Sequence, residues 1–150
     1  MAKYGILQQK TRKLLTEGRL AVLATVHDNG PHQGLIAITA TDNLRYIIFA
    51  TPKYTRKYKN ILKSPAVSLL LDDRRNSSID FLECTALTVN GNAGPVPEKV
   101  LAEYRDLYLS SHPYLEEFVH SPSSVFVQVQ VVRYSLVSKF QRVREWSPGE

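Results

Sequence analysis

Three short apolar runs separated by tight turn signals constrain this chain more than any other feature of it. Residues 20–26 are apolar and partly β-branched, the pattern of a buried strand. Asp28-Asn29-Gly30 follows, and those residue types tolerate the positive φ of a hairpin turn. A second strand is expected over residues 33–40, and Thr41-Asp42-Asn43 turns it into a third over residues 44–50. Connections this short leave no room for a crossover helix, so the three strands read as an antiparallel meander.

The period changes on either side of the meander. Leu7, Thr11, Leu14 and Leu15 recur at helical spacing, with Gly18 placed to cap the helix end. Tyr54, Tyr58, Ile61 and Leu62 repeat that stripe, and Pro65 closes this second helix before a fourth strand at residues 66–71. Residues 72–76 form a polar turn. A long strand is expected over residues 79–89, ended by a second turn signal at Asn90-Gly91-Asn92. Pro97-Glu98 opens a helix carrying Val100, Leu101, Tyr104, Leu107 and Tyr108, and residues 111–119 add a shorter helical piece. Alternation resumes at Val125, Val127, Val129 and Val131, so the chain ends in one or two strands reaching Val143. Helices inserted between hairpin-linked strands predict an α+β fold, mainly antiparallel β and closed on itself, rather than a doubly wound parallel sheet. A length of 150 residues fits one domain spanning residues 1–150.

Composition narrows the function classes. A hydrophobic share of 43% against 22% charged residues supports a packed core rather than disorder. No apolar run approaches the ~20 residues that cross a bilayer, and Met1-Ala2-Lys3-Tyr4-Gly5 lacks the apolar core of a signal peptide. Cys84, the single cysteine, has no internal disulfide partner and reads as a small buried hydrophobe. No Cys/His cluster has zinc-ligand spacing, so no metal is expected, and the expected location is cytoplasmic without membrane attachment. The net charge of +5 raises the question of an anionic partner. Its basic residues gather in two helical stretches, at Lys10, Arg12 and Lys13 and at Lys53, Arg56, Lys57, Lys59 and Lys63. Solvated helix faces are the plain reading of these. No nucleic-acid motif accompanies them, so no nucleic-acid partner is expected.

Phe49-Ala50-Thr51-Pro52-Lys53-Tyr54-Thr55-Arg56-Lys57 is the most informative stretch. A strand ends there, and a helix begins with hydroxyl and cationic residues around its first turn. The opening turn of a helix has unpaired N–H groups and a partial positive charge, which suit an anion. Thr51 and Thr55 add hydroxyls and Arg56 and Lys57 add fixed charge, a set that suits phosphate. The competing reading is a capped helix with solvated lysines. Elsewhere His27, His32, His112 and His120 lack a partner at telling spacing and read as surface or turn residues. Asp80 and Glu83 flank the start of the expected long strand, where they could line a dimer seam.

Continued through Asn60-Ile61-Leu62-Lys63-Ser64-Pro65-Ala66-Val67-Ser68-Leu69-Leu70-Leu71, this segment resembles the pyridoxamine 5′-phosphate oxidase-like, flavin-binding split-barrel superfamily. The hairpin over residues 20–40 and Ala86-Leu87-Thr88-Val89-Asn90-Gly91-Asn92-Ala93 are also similar to it. The resemblance covers roughly residues 7–93 well and the last third only in strand pattern. It implies a split β-barrel with short flanking helices that pairs into a homodimer and binds flavin mononucleotide (FMN). The phosphate would be held by Thr51, Thr55, Arg56 and Lys57, beside Ala50. The ring would lie along the second strand near Leu35 and Ile36, with the partner subunit over its other side. A partner also suits the size of the barrel, whose groove is shallow where flavin sites bury most of the ligand. Trp146 would either cover a neighbour's flavin or anchor the tail.

Two departures bear on the substrate. Gln33-Gly34-Leu35-Ile36-Ala37-Ile38 lacks the basic residues that pyridoxamine phosphate oxidases place on this strand, and residues 137–150 lack their Arg/Lys-rich motif. Pyridoxine phosphate is therefore not the expected substrate. The implied function is a flavin-dependent oxidoreductase acting on a small molecule, in which the flavin moves the electrons. The alternatives are a non-catalytic flavin- or heme-binding or sensing protein, and a deazaflavin-dependent reductase.

Overall fold

A computed structural model describes residues 5–149. Residues 1–4, which carry most of the leader reading, and Glu150, the end of the tail, lie outside the described residues. Helix α1 (Gly5–Gly18) leads into β1 (Leu20–His27) and β2 (Gly30–Ala37). Past Ile38 the chain continues as β3 (Thr39–Ala40), then β4 (Tyr46–Pro52), α2 (Arg56–Lys63) and β5 (Ala66–Asp72). There follow a single turn, α3 (Asp80–Glu83), then β6 (Ala86–Pro95), α4 (Glu98–Ser111), a 3₁₀ turn at Pro113–Leu115 and α5 (Glu116–Val119). Strands β7 (Ser124–Ser138) and β8 (Arg142–Trp146) end the described chain. No helix among the described residues is long and apolar enough to cross a membrane.

The strand order is β2-β1-β5-β6-β7-β4-β3, with β8 paired to β7 outside this path, and every pairing is antiparallel. The two ends of that order, β2 and β3, are neighbours in sequence with only Ile38 between them. One extended segment thus pairs with β1 through its first part and with β4 through its last. The sheet must curl to allow this, and it becomes a barrel open along one side. The α+β, mainly antiparallel split barrel expected above is the observed fold. Leu23, Phe49, Leu69, Leu87, Val89, Val127 and Val129 fill the interior. Helix α1 buries Thr11, Leu14 and Leu15, three of its four expected stripe positions.

Trp146 anchors the tail. Its ring stacks on Tyr134 at 4.9 Å, and its Nε1–H donates to the Thr11 hydroxyl at 2.9 Å. At 3% exposure it leaves no free face to cover a cofactor.

Three local expectations fail for identifiable reasons. The strand expected over residues 79–89 starts only at Ala86, and Asp80–Glu83 form a helical turn instead. There the Asp80 carboxylate accepts the N–H groups of Arg75 and Ser77, a local bonding pattern that competes with a ladder. These N–H bonds also hold the Asp80 carboxyl below its ordinary range. Asn90-Gly91-Asn92 lies inside β6 rather than in a turn, and the β6–β7 register slips between Asn90 and Gly91. A Cβ at Gly91 would collide with the Gln130 carbonyl oxygen and sit 2.8 Å from Val129 Cγ1, so glycine marks a bulge here. At the end of α1 the left-handed residue is Arg19 (φ 54°), not Gly18. Gly18 serves packing, since a Cβ there would lie 3.0 Å from Leu71 Cδ2.

The bulge is testable. Gly91→Ala should lose about 1–3 kcal/mol in urea unfolding, the usual cost of forcing atoms into a packed site. Gly94→Ala, on the same strand with nothing within 4 Å of the added carbon, should change stability by less than ~1 kcal/mol.

Candidate functional site

The turn between β4 and α2 is built by two threonines. Thr55 is the N-cap of α2, with φ −72° and ψ 153°, and its Oγ1 accepts the Tyr58 N–H at 3.4 Å. The same hydroxyl donates to the Pro52 carbonyl at 2.9 Å. Its 3.0 Å contact with Thr51 Oγ1 must then take its proton from Thr51, which is buried. Both threonines shape the turn, and both hydroxyl protons are engaged within it.

Helix α2 is pinned by a polar contact. Asn60 is 4% exposed and donates from Nδ2 to the Thr25 hydroxyl of β1 at 3.0 Å, while Ile61 packs beside it. The stripe expected from Tyr54, Tyr58, Ile61 and Leu62 holds only at Ile61 and, half-buried, at Tyr58. Tyr54 precedes the helix and is exposed, as is Leu62. Asn60 takes a buried position because Thr25 satisfies it.

The first turn of α2 carries uncompensated positive charge. Arg56 is exposed and Lys57 is half-buried, and desolvation pushes the Lys57 ammonium below its ordinary pKa. Among the described residues neither meets a carboxylate at ion-pair distance, whereas Lys63 at the far end of the helix pairs with Asp28 at 3.6 Å. The backbone N–H groups of Arg56 and Lys57 precede the first intrahelical bond and find no acceptor among the described residues. An anion here would meet two N–H donors, a guanidinium and an ammonium, and would offset the desolvation cost of Lys57.

The opening of the barrel lies beside this turn. Pairing of β3 with β4 runs from Ala40↔Ile47 to Thr39↔Ile48 and stops. Carried further, the same register would set Ala37 opposite Ala50 and Ile36 opposite Thr51. Instead β2 and β4 approach without a ladder, and α2 contacts β2 directly. Leu35 and Ile36 therefore lie on one lip of the gap and Ala50 and Thr51 on the other, with Thr55, Arg56 and Lys57 just past the β4 lip. On the first lip the Leu35 side chain is 67% exposed while Ile36 is buried.

Helix α4 supplies polar residues that sequence patterning left unassigned. The buried Tyr108 hydroxyl donates to the Ala37 carbonyl at 3.0 Å and stands against the Ala50 N–H. Burial pushes the Tyr108 phenol up to about 12. His112 was expected on the surface but is fully buried, its Nε2 2.6 Å from the Ile38 carbonyl oxygen. Because that oxygen only accepts, Nε2 carries the proton, and Nδ1 faces the Tyr114 hydroxyl at 3.4 Å. Ser111 and Thr39 share a hydroxyl contact at 3.0 Å. Tyr108 stood out as part of a helical stripe, but nothing in the spacing told which strands it would reach. Of the other histidines, His27 and His120 are exposed and His32 is half-buried on β2. Among the described residues no three His, Cys, Asp or Glu side chains converge on a metal position. A separate cavity of ≈ 310 Å³, walled by α1, β3 and α4, lies away from the α2 turn.

The sequence profile of the pyridoxamine 5′-phosphate oxidase family matches residues 7–138. No curated protein matches the chain significantly by sequence. Among solved structures, a heme-binding protein from Mycobacterium smegmatis superposes with a TM-score of 0.79 at 14% identity, over 91% of this chain and 56% of that one. This chain thus spans little more than half the length of the mycobacterial protein. General Stress Protein 26 from Bacillus anthracis gives 0.69 at 18% identity, over 94% and 98% of the two chains. An FAD-binding protein from Mesorhizobium loti gives 0.68 at 15%, over 85% and 91%. At such identities these likenesses establish a shared fold.

Proposed function

The chain belongs to the pyridoxamine 5′-phosphate oxidase family, and on that premise we propose that it binds FMN and acts as a flavin-dependent oxidoreductase on a small molecule. The observation that carries this reading is the unneutralised Arg56–Lys57 turn opening onto a gap between unpaired strands. The phosphate sits on the two N–H groups and two cations at the start of α2. The ring lies along the Leu35–Ile36 lip, with Ala50 and Thr51 at its other side. Strand edges without a ladder offer N–H and C=O groups to the polar rim of an isoalloxazine. When bound, the flavin supplies the electron or hydride transfer. The protein's part is to fix the ring and limit its solvent exposure. No lysine or arginine lies on β2, which argues against a phosphorylated vitamin as substrate.

A second copy of the chain completes the site in this reading. The outward faces of β1, β2 and β5 present Leu20, Val26, Leu35 and Leu70 to solvent, each more than 40% exposed. Val22 lies between Leu35 and Leu70 in register, so these side chains form one apolar surface.

Fluorescence titration checks the phosphate anchor. Arg56→Ala and Lys57→Ala should each weaken FMN binding by roughly ten- to a hundred-and-fifty-fold, equivalent to ~1.5–3 kcal/mol for a charge-assisted hydrogen bond. Lys63→Ala should leave it nearly unaltered, because Lys63 is at the far end and pairs with Asp28. Burial lowers the free Lys57 ammonium and phosphate raises it again. Affinity should therefore fall as pH rises through the lowered Lys57 pKa, and that alkaline decline should be lost in Lys57→Ala. Equal affinities for all three variants would place the phosphate elsewhere.

Light scattering checks the partner. The protein at micromolar concentration should weigh about twice its 17.0 kDa chain mass, and a monomer that still holds FMN tightly would contradict the shared site.

A further inference from the structure

The barrel opens at one definable rung. In an antiparallel ladder, residue pairs that exchange hydrogen bonds alternate with pairs that do not. On the β3–β4 side the Thr41 N–H donates to the Tyr46 carbonyl at 2.9 Å, so Thr41 and Tyr46 form an exchanging pair. The next such pair is Thr39 with Ile48, and the one after it would be Ala37 with Ala50. In that rung the Ala50 N–H would donate to the Ala37 carbonyl. The Tyr108 hydroxyl occupies this position: it donates to the Ala37 carbonyl at 3.0 Å and stands against the Ala50 N–H, which the register directs into the gap. A hydroxyl set between donor and acceptor holds the two strands roughly 2 Å farther apart than a direct N–H···O bond would.

The phenol has little freedom to be elsewhere. Tyr108 is 1% exposed, its ring meets Phe126 edge-on at 5.4 Å and lies 4.9 Å from the His112 ring. Four residues on, His112 holds the Ile38 carbonyl, and Ser111 reaches Thr39. The end of α4 thus grips the segment at Ala37, Ile38 and Thr39, where β2 passes into β3.

We propose that Tyr108 is a positioning residue whose hydroxyl replaces the first missing rung of the barrel and thereby sets the width of the gap that receives the flavin ring. The proposal rests on the flavin reading above for the identity of the ring, but the inserted rung exists without any ligand. Tyr108 does not touch substrate in this account. It acts through Ala37 and Ala50, which adjoin the Leu35–Ile36 and Thr51 lips.

Tyr108→Phe keeps the ring and removes only the hydroxyl. In the ligand-free protein the Ala50 amide should then exchange with solvent about tenfold faster, as a buried N–H without its acceptor does, while amides in the β6–β7 ladder stay unchanged. FMN affinity should fall about five- to fiftyfold, the range expected for one lost buried hydrogen bond. The visible circular dichroism of the flavin at saturation should also change, which a loss of stability alone would not cause. Tyr104→Phe, one turn earlier on α4, should leave all three readouts near wild type. An Ala50 amide equally protected in Tyr108→Phe overturns the inserted rung. Lost protection with unchanged affinity and dichroism overturns the positioning role. Wild-type protein that takes up no FMN contradicts the flavin reading, and the Ala50 exchange rate then decides the rung by itself.

Discussion

The segment from residue 30 to residue 40 belongs to both ends of the same sheet. Its first part pairs with β1 and its last two residues pair with β4, and only Ile38 separates the two. A sheet so constrained has to curl, and the two edges of the shared segment are used unequally. Eight residues pair with β1 but only two with β4, and beyond Thr39 the strands β2 and β4 diverge without a ladder. The gap is therefore a divergence of two neighbouring strands, not a loop that happens to stand aside. Because β4 runs from that gap directly into α2, the cationic first turn of the helix comes to its rim.

Two helices make this arrangement stable from opposite sides. Helix α2 is held by Asn60 on Thr25 and by Ile61, so its first turn is fixed even though that turn carries charge. Helix α4 holds the other side through Tyr108 and His112, which bond the Ala37 and Ile38 carbonyls, and through Ser111, which reaches the Thr39 hydroxyl. An unsatisfied buried carbonyl or amide costs about 1–3 kcal/mol, so an open barrel needs such side-chain substitutes wherever its edge is buried. The rim at Arg56 and Lys57 has no corresponding partner among the described residues. Structural polar groups are paired there, and the groups left unpaired are those suited to an anion.

Much of the fold was legible because it rests on local signals. Asp28-Asn29-Gly30 joins β1 to β2 as its residue types require, and the alternating valines at 125–131 lie in β7. The threonine and cation cluster at residues 51–57 marked the start of α2 from its chemistry alone. What escaped reading was decided by distant partners. Asn90-Gly91-Asn92 carries turn residues, but the glycine is there for the approach of the Gln130 carbonyl from the neighbouring strand. Residues 79–83 are apolar enough for a strand, yet Asp80 organises the preceding loop and leaves Phe81 and Leu82 exposed. His112 and Asn60 look like surface residues until Ile38 and Thr25 are placed against them. Tyr108 shows both sides of this. Its burial followed from helical spacing, whereas its hydrogen bonds depend on how two strands diverge.

In the proposed function the first turn of α2 holds a flavin by its phosphate. Parallel titrations of the wild-type protein with FMN and with riboflavin, which shares the ring and ribityl chain but lacks the phosphate, test it most directly. If Arg56, Lys57 and the two N–H groups form the anchor, FMN should bind at least about a hundredfold more tightly, as two charge-assisted contacts of ~1.5 kcal/mol each require. Equal affinity for the two flavins would contradict the account.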